Sequence, residues 1–270
     1  MLANRLREGL APSWRFKRAR IQGYIAGGGE HGVEITDAGD GLPGTRPMCL
    51  NLEHYYSRSC HNGRFVPRSR AKVTSTCVGD AVVVTIDPHD AWEVRTEITF
   101  MVLDMPAVEA HYRFRFLAPF AGFEALVSNY FLDPTEPYIH LGGAWKRPRL
   151  GDGEHRFWAK GPDQADNIRA VYPKELTPAD SIELAIDPDY YDYPIMITPV
   201  RNTRSSIVTV VEPQHCSSLS ANRRWNAHDF SLIAQDVKQG QEVSCRAWLA
   251  CCELASLDDA IQLYDELQKG

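Results

Sequence analysis

His111, Arg113 and Arg115 stand at alternate positions in the run AVEAHYRFRFL, and Arg95 and Glu97 do the same in AWEVRTEITFMVL. An imidazole titrates near neutral pH and suits proton transfer, a carboxylate can serve as its partner, and guanidinium groups grip substrate oxygens two at a time. His111 is therefore the candidate proton-transfer residue, with Glu97 or Glu124 as its acidic partner. Arg95, Arg113 and Arg115 are the candidate substrate-binding groups. The same pattern also fits a plainer arrangement, a solvated sheet face with cross-strand Glu to Arg pairs.

Two other segments concentrate polar and aromatic side chains. LEHYYSRSCHNGRF (52–65) gathers His54, Tyr55, Tyr56, Cys60 and His61, and SNYFLDPTEPYIH (128–140) gathers Asn129, Tyr130, Asp133, Glu136, Tyr138 and His140. Rings with amides and carboxylates beside them suit a sugar, which offers an apolar face to stack and hydroxyls to hydrogen bond. His54, Tyr55, Asn129 and Tyr130 join the candidate binding set on that ground. No HExxH, HxxxH or CxxC spacing supports a metal site. Gly27-Gly28-Gly29 lacks the lysine and helix of a phosphate loop and reads as a turn, and no GxSxG elbow occurs. Proton transfer of this kind requires no cofactor.

Strands must position these groups. Trp92, Val94, Thr96, Ile98, Phe100 and Val102 share one parity, opposed to Glu93, Arg95, Glu97 and Thr99; after Asp104-Met105-Pro106 the alternation resumes with Val108, Ala110, Tyr112, Phe114 and Phe116. The two runs predict a hairpin. A turn centred near Met105 sets Glu97 opposite Arg113 and Thr99 opposite His111, whereas a shift of two pairs Glu97 with His111 or Arg115. All these registers keep the polar residues on one face. GFEALVSNYFL is expected to be a neighbouring strand, and IQGYIA, HGVEIT, AKVTSTC, AVVVTI, HRFWAK and SSIVTVVE shorter ones. HDFSLIAQD and EVSCRAWLACCE, joined through VKQG, are expected to form a second hairpin. Ser256-Leu-Asp-Asp259 predicts a helix start, with Leu257, Ala260, Ile261, Tyr264 and Leu267 at helical spacing. The stretch from Thr177 to Ile186 carries both helix and strand signals. Ala38 to Arg70 and Pro134 to Pro194 read as loop-rich insertions.

The composition is that of a globular chain, 44% apolar and 24% charged, and 270 residues suffice for one large β domain spanning 1–270. A net charge of -6 argues against nucleic acid as a partner. No apolar run of roughly twenty residues suggests a membrane helix, and the basic stretch from Arg5 to Arg20 is not followed by a signal-type apolar run. Seven cysteines, odd in number and scattered, suit core or surface thiols in a reducing, cytoplasmic setting.

The runs WEVRTEITFMVLDMPAVEAHYRFRF and FEALVSNYFLDP, together with the ending HDFSLIAQDVKQGQEVSCRAWLACCE and DDAIQLYDEL, resemble the galactose mutarotase-like supersandwich, a superfamily of carbohydrate-active proteins. The resemblance spans Ala91 to Leu132 and His228 to Leu267. It implies a large antiparallel β-sandwich with a C-terminal helix, whose concave sheet face takes a carbohydrate ligand through His, Arg and a carboxylate. By position, that nominates His111, Arg113, Arg95 and Asn129. The sequence departs from the aldose epimerase pattern, lacking its histidine-proline segment and a late glutamate in the expected setting, so epimerase, lyase and hydrolase chemistry stand side by side. The alternatives are a non-catalytic sugar-binding protein and a structural protein whose polar face, Arg113 included, is the interface of a homo-oligomer.

Overall fold

The computed structural model of the chain describes residues 12–37, 39, 45, 48–60, 64–90, 92–132, 136–147, 190–222 and 225–269, and three further strands, 3–4, 155–160 and 184–186, as backbone. The expected strands form because their apolar residues alternate, and the burial along them alternates in step.

The first four strands, β1 (Ala3–Asn4), β2 (Ser13–Arg18), β3 (Ile21–Ala26) and β4 (Gly32–Asp37), make a small antiparallel sheet. Then come β5 (Asn51–Tyr56), β6 (Arg64–Phe65), the short helix α1 (Pro67–Arg70), β7 (Val73–Val78), β8 (Ala81–Ile86), β9 (Val94–Val102), β10 (Ala107–Phe116) and β11 (Phe120–Tyr130). The small hairpin β12 (Ile139–Leu141) and β13 (Ala144–Lys146) leads to β14 (His155–Lys160) and β15 (Leu184–Ile186). The chain closes with β16 (Ile195–Pro199), β17 (Ser205–Val211), β18 (Cys216–Asn222), β19 (Ala227–Val237), β20 (Glu242–Glu253) and helix α2 (Asp259–Gln268).

Two seven-stranded sheets dominate. Sheet I runs in the order β16-β17-β20-β10-β9-β8-β7 and sheet II in the order β15-β14-β18-β19-β11-β5-β6, all antiparallel except the β14–β15 pair. Their facing sides share one apolar core, to which the first sheet adds Trp14, Phe16, Ile21 and Ile25. Edge-on aromatic pairs fill its centre, Phe116 and Phe123 at 4.9 Å between ring centroids, a favoured geometry. The molecule is a mainly antiparallel β-sandwich.

Two expected pairings are corrected. β11 does not extend the β9–β10 hairpin but lies in sheet II between β5 and β19. β19 and β20 are not a hairpin: β19 pairs with β11 and β18, and β20 with β10 and β17 in the opposite sheet. Both crossings happen at one corner, where the Phe116 amide donates to Gln241 O at 3.0 Å and the Gly240 amide to Phe116 O at 2.7 Å. A reversal in the chain fixes direction, whereas the partner is chosen by which apolar face the strand buries, and in a sandwich either sheet can accept it. The span from Ala38 to Arg70 is likewise more than loop, since β5 lies within sheet II. Thr177 to Asp180 falls outside the described residues.

The outer face of sheet I is covered at one end by α2. Ala260 and Leu267 pack there on Ile195, Val208, Trp248 and Ala250, and the Ser256 hydroxyl donates to Asp259 at 2.9 Å in the first turn.

Candidate functional site

The other end of that outer face holds the central residues of the expected chemistry. Arg113 lies opposite Glu97 and His111 opposite Thr99, the register of a turn at Met105. Arg95 and Arg115 face each other in the same ladder, a like-charge pair that calls for nearby carboxylates. Asp87 lies 3.6 Å from Arg95, and Glu242 of β20 lies 3.7 Å from both Arg113 and Arg115. Arg95, Glu97, Arg113, Arg115 and Glu242 line an open cleft of about 200 Å³. The three guanidinium groups are 58%, 54% and 63% exposed, in the order Arg95, Arg113, Arg115. Such contacts exceed hydrogen-bond length, and exposed pairs of this kind are worth ~1 kcal/mol or less. His111 sits half-buried between Thr99 and Arg246 and, among the described residues, forms no ion pair with a carboxylate. Arg246 is engaged by Glu212 at 3.6 Å and lies over the Trp248 ring. This face has the arrangement of a solvated, charge-balanced sheet surface.

Two of the remaining candidates belong to the core side. The Tyr55 hydroxyl bonds Thr96 Oγ1 of sheet I at 2.7 Å, and Asn129 accepts the Leu50 amide at 2.7 Å while donating to Thr209 Oγ1 at 3.1 Å. Both join the two sheets through the core. Glu124, His54 and Tyr130 lie instead on the outer side of sheet II, and the structure brings those three together on one face apart from His111 and the arginines. His61 and Asp133 lie outside the described residues.

That outer side is polar and buried, which distinguishes it from the arginine face. From β11 it takes Glu124, Leu126 and Ser128, from β19 Asp229 and Ser231, and from β18 Ser218, Ser220 and Asn222, each less than a tenth exposed. A β-bulge in β5 completes it. Leu126 pairs with His54 and Val127 with Leu52, so Glu53 is the extra residue. Because of it Leu52 and Tyr55, three apart, both reach the core, and Glu53 and His54 are turned out of it.

Glu53 is a closely held carboxyl of the face. It accepts from Asn51 Nδ2 at 2.7 Å and from Arg68 of α1 at 2.8 Å, and Tyr130 presents its hydroxyl to the same group. Burial raises its pKa above the ordinary glutamate range; Arg68 opposes the shift and the nearby Asp229 adds to it. Burial, and next the Glu53 charge, raise the Tyr130 phenol as well. The arrangement offers a carboxyl that retains its proton above the ordinary glutamate range, a second carboxyl group on the same face, and a guanidinium between polar neighbours. The His54 and Tyr56 rings, 5.7 Å apart, flank it. Among the described residues no three His, Cys, Asp or Glu side chains converge as a metal site.

No family model matches the sequence, and no curated protein matches it. Among solved structures the chain is similar to a protein of Escherichia coli K12 assigned as an aldose 1-epimerase, at 8% identity and a TM-score of 0.55, covering 89% of this chain and 98% of that one. It is similar also to a galactose mutarotase-like protein of Clostridium acetobutylicum, at 8% identity and a TM-score of 0.50, over 94% and 99% of the two chains. The fold is galactose mutarotase-like. The chain is similar as well to a TPR-domain containing protein of Parabacteroides distasonis, at 9% identity and a TM-score of 0.52, over 91% of this chain and 48% of that one. At these identities the likeness is one of fold alone.

Within the galactose mutarotase-like fold of this chain, the sequence reading missed Asn51, Glu53, Arg68 and Asp229. A signal for them exists. Leu52 and Tyr55 break the period of two, which marks a bulge between them. SSLSAN and HDFSL alternate apolar residues with small or acidic ones and carry no lysine or arginine, the pattern of a polar face that is buried rather than solvated. As to membranes, no helix among the described residues is long and apolar enough to cross one.

Proposed function

We propose that this chain is a carbohydrate-active protein that takes a sugar against the polar face of sheet II, with Glu53 as the proton donor. The observation that carries the reading is the Glu53 carboxyl, buried on a bulge, held by Asn51, Arg68 and Tyr130, and raised in pKa beside Asp229. A buried carboxyl that holds its proton above the ordinary glutamate range, with a second carboxyl close by, is suited to acid and base work. Glu53 gives its proton to a ring or glycosidic oxygen, and Asp229 accepts one from the anomeric hydroxyl or from water. In ring opening, the bond from the anomeric carbon to the ring oxygen breaks as that oxygen is protonated, and reclosure returns both protons. Hydrolysis uses the same pair with water as the incoming group. Glu124 and Ser128 extend the hydrogen-bonding surface, and the His54 and Tyr56 rings supply the apolar wall on which a pyranose rests. The fold shared with a protein assigned as an aldose 1-epimerase and with a galactose mutarotase-like protein supports the substrate class.

Glu53→Gln keeps the shape and removes the acid. Anomeric exchange of aldohexoses, and hydrolysis of a panel of glycosides, followed by NMR, should fall by at least ~100-fold in this variant, in line with the loss of a general acid. Its thermal midpoint should stay within a few degrees of the parent. His111→Ala, on the exposed face, should work within about twofold of wild type, as an exposed change away from the site does. Wild-type turnover by Glu53→Gln would sink the assignment. Loss of turnover in His111→Ala alone would move the chemistry to the arginine face, and sugar binding without turnover in the parent would leave a binding protein.

A further inference from the structure

His31 and the glycines before it have no part in the site described above. His31 is fully buried, and its Nε2 accepts the Leu52 backbone N–H at 3.1 Å. Leu52 directly precedes the bulge residue Glu53, at a point on β5 that β6 does not reach, since β6 pairs only with Tyr55 and Tyr56. The imidazole takes the place of a ladder carbonyl there, because a buried strand amide must find an acceptor. On the opposite side of the ring Nδ1 points at the carbonyls of Gly28 and Gly29, with geometry short of a full hydrogen bond. That arrangement selects the tautomer with its proton on Nδ1 and its lone pair on Nε2. Burial keeps the ring neutral, pushing its pKa down to about 4, with Arg68 adding to the effect and the two glycine carbonyls opposing it. The loop also meets the other support of Glu53, for a Cβ on Gly29 would stand 2.5 Å from the carbonyl oxygen of Arg68.

Resting on the reading of Glu53 as proton donor, we propose that His31 is a positioning residue: by accepting the Leu52 amide it fixes the bulge in β5 and so the place of the Glu53 carboxyl. Neither His31 nor the glycine loop meets the sugar in this scheme. In this scheme the connection between β3 and β4 acts on the site through the His31 hydrogen bond to Leu52.

The test compares His31→Leu, which cannot accept a hydrogen bond, with His31→Gln, whose Oε1 reaches about as far as Nε2. Two NMR readouts on the full chain are independent of any substrate: hydrogen exchange of the Leu52 amide, and titration of the Glu53 carboxyl in 13C-glutamate-labelled protein, assigned by its absence in Glu53→Gln. In His31→Leu the Leu52 amide should exchange on the order of 100-fold faster as the local structure opens. The Glu53 midpoint should fall toward the free glutamate value of ~4.3 as water reaches the bulge. His31→Gln should restore both. An unchanged Leu52 exchange or Glu53 midpoint in His31→Leu overturns the proposal, as does failure of His31→Gln to restore them. Should His31→Leu not fold, His31→Asn takes its place, since its shorter amide can still face the glycine carbonyls but does not reach Leu52. If both readouts move while Glu53→Gln retains full sugar turnover, His31 positions the bulge and the function assigned to Glu53 is wrong.

Discussion

Among the described residues, several buried hydrogen bonds cross the apolar core between the two sheets. Tyr55 meets Thr96, Asn129 meets Thr209, and the Tyr112 hydroxyl donates to Leu50 O at 2.7 Å. Buried hydroxyls and amides are tolerated only as pairs, so each partner is costly to remove alone. Tyr55→Phe is expected to lose ~1–2 kcal/mol by leaving the Thr96 hydroxyl buried and unmatched, and Tyr55→Phe with Thr96→Val to recover most of it. Urea denaturation of the two single variants and the double variant measures this coupling. Arg113→Ala, half in water, should change stability by no more than ~0.5 kcal/mol. Tyr55 and Asn129 were legible as chemistry-bearing residues but not as core ties, because a hydroxyl or an amide serves a ligand and a buried partner equally well.

At the level of elements, the bulges decide which side chains the outer face of sheet II presents. The one in β5 turns Glu53 out of the core, and another lies where β11 meets β19 between Phe123 and Glu124. On β19 the backbone passes through left-handed conformations at Ile233 (φ 79°) and Ala234 (φ 51°), which residues with a Cβ adopt at a cost. Ala234→Gly should therefore stabilise the protein by ~0.5–1 kcal/mol despite the added freedom of the unfolded chain, a change within reach of calorimetry. A lower melting temperature in that variant would show that the Ala234 methyl group contributes more through packing than the backbone strain costs. Period and parity revealed most strands, since both are local. The exchange of β11 and β19–β20 between sheets was not legible, because it depends on which distant apolar face each strand meets.

Across the whole molecule, His31 links stability to pH. Its folded pKa is depressed, to about 4 from 6.5, so the unfolded chain takes up a proton first and stability is lost as pH falls from about 6.5 to about 4, amounting to roughly 3 kcal/mol. His31→Gln should flatten that limb of the curve. Glu53 acts in the opposite direction: its folded pKa is raised, so the stability tied to its proton is complete below the ordinary glutamate range and is lost as pH rises through the folded value. Chemical denaturation at several pH values, on the parent and on each variant, separates the two. The thiols provide another whole-molecule check. Cys77 alone is exposed, Cys60 and Cys252 are half-buried, and burial pushes Cys49 and Cys216 up to about 12. A disulfide-exchange reagent should modify one thiol quickly in the native protein and all seven after unfolding.

Read by itself, the sequence determined the β class, the β9–β10 hairpin, the closing helix and the polar parity of the arginine strands, because alternation and turn residues act over a few positions. Which register the hairpin takes was left to the structure. It also carried a resemblance to the galactose mutarotase-like fold. Only the tertiary structure decided which of two polar faces is buried. That depends on how the sheets stack and on where α2 lies, and both arise from contacts between residues far apart in the chain. The same long-range packing leaves Arg95, Arg113 and Arg115 in water and shields Glu53 and Asp229 from it, and that difference in solvation makes the second pair the better candidates for proton chemistry.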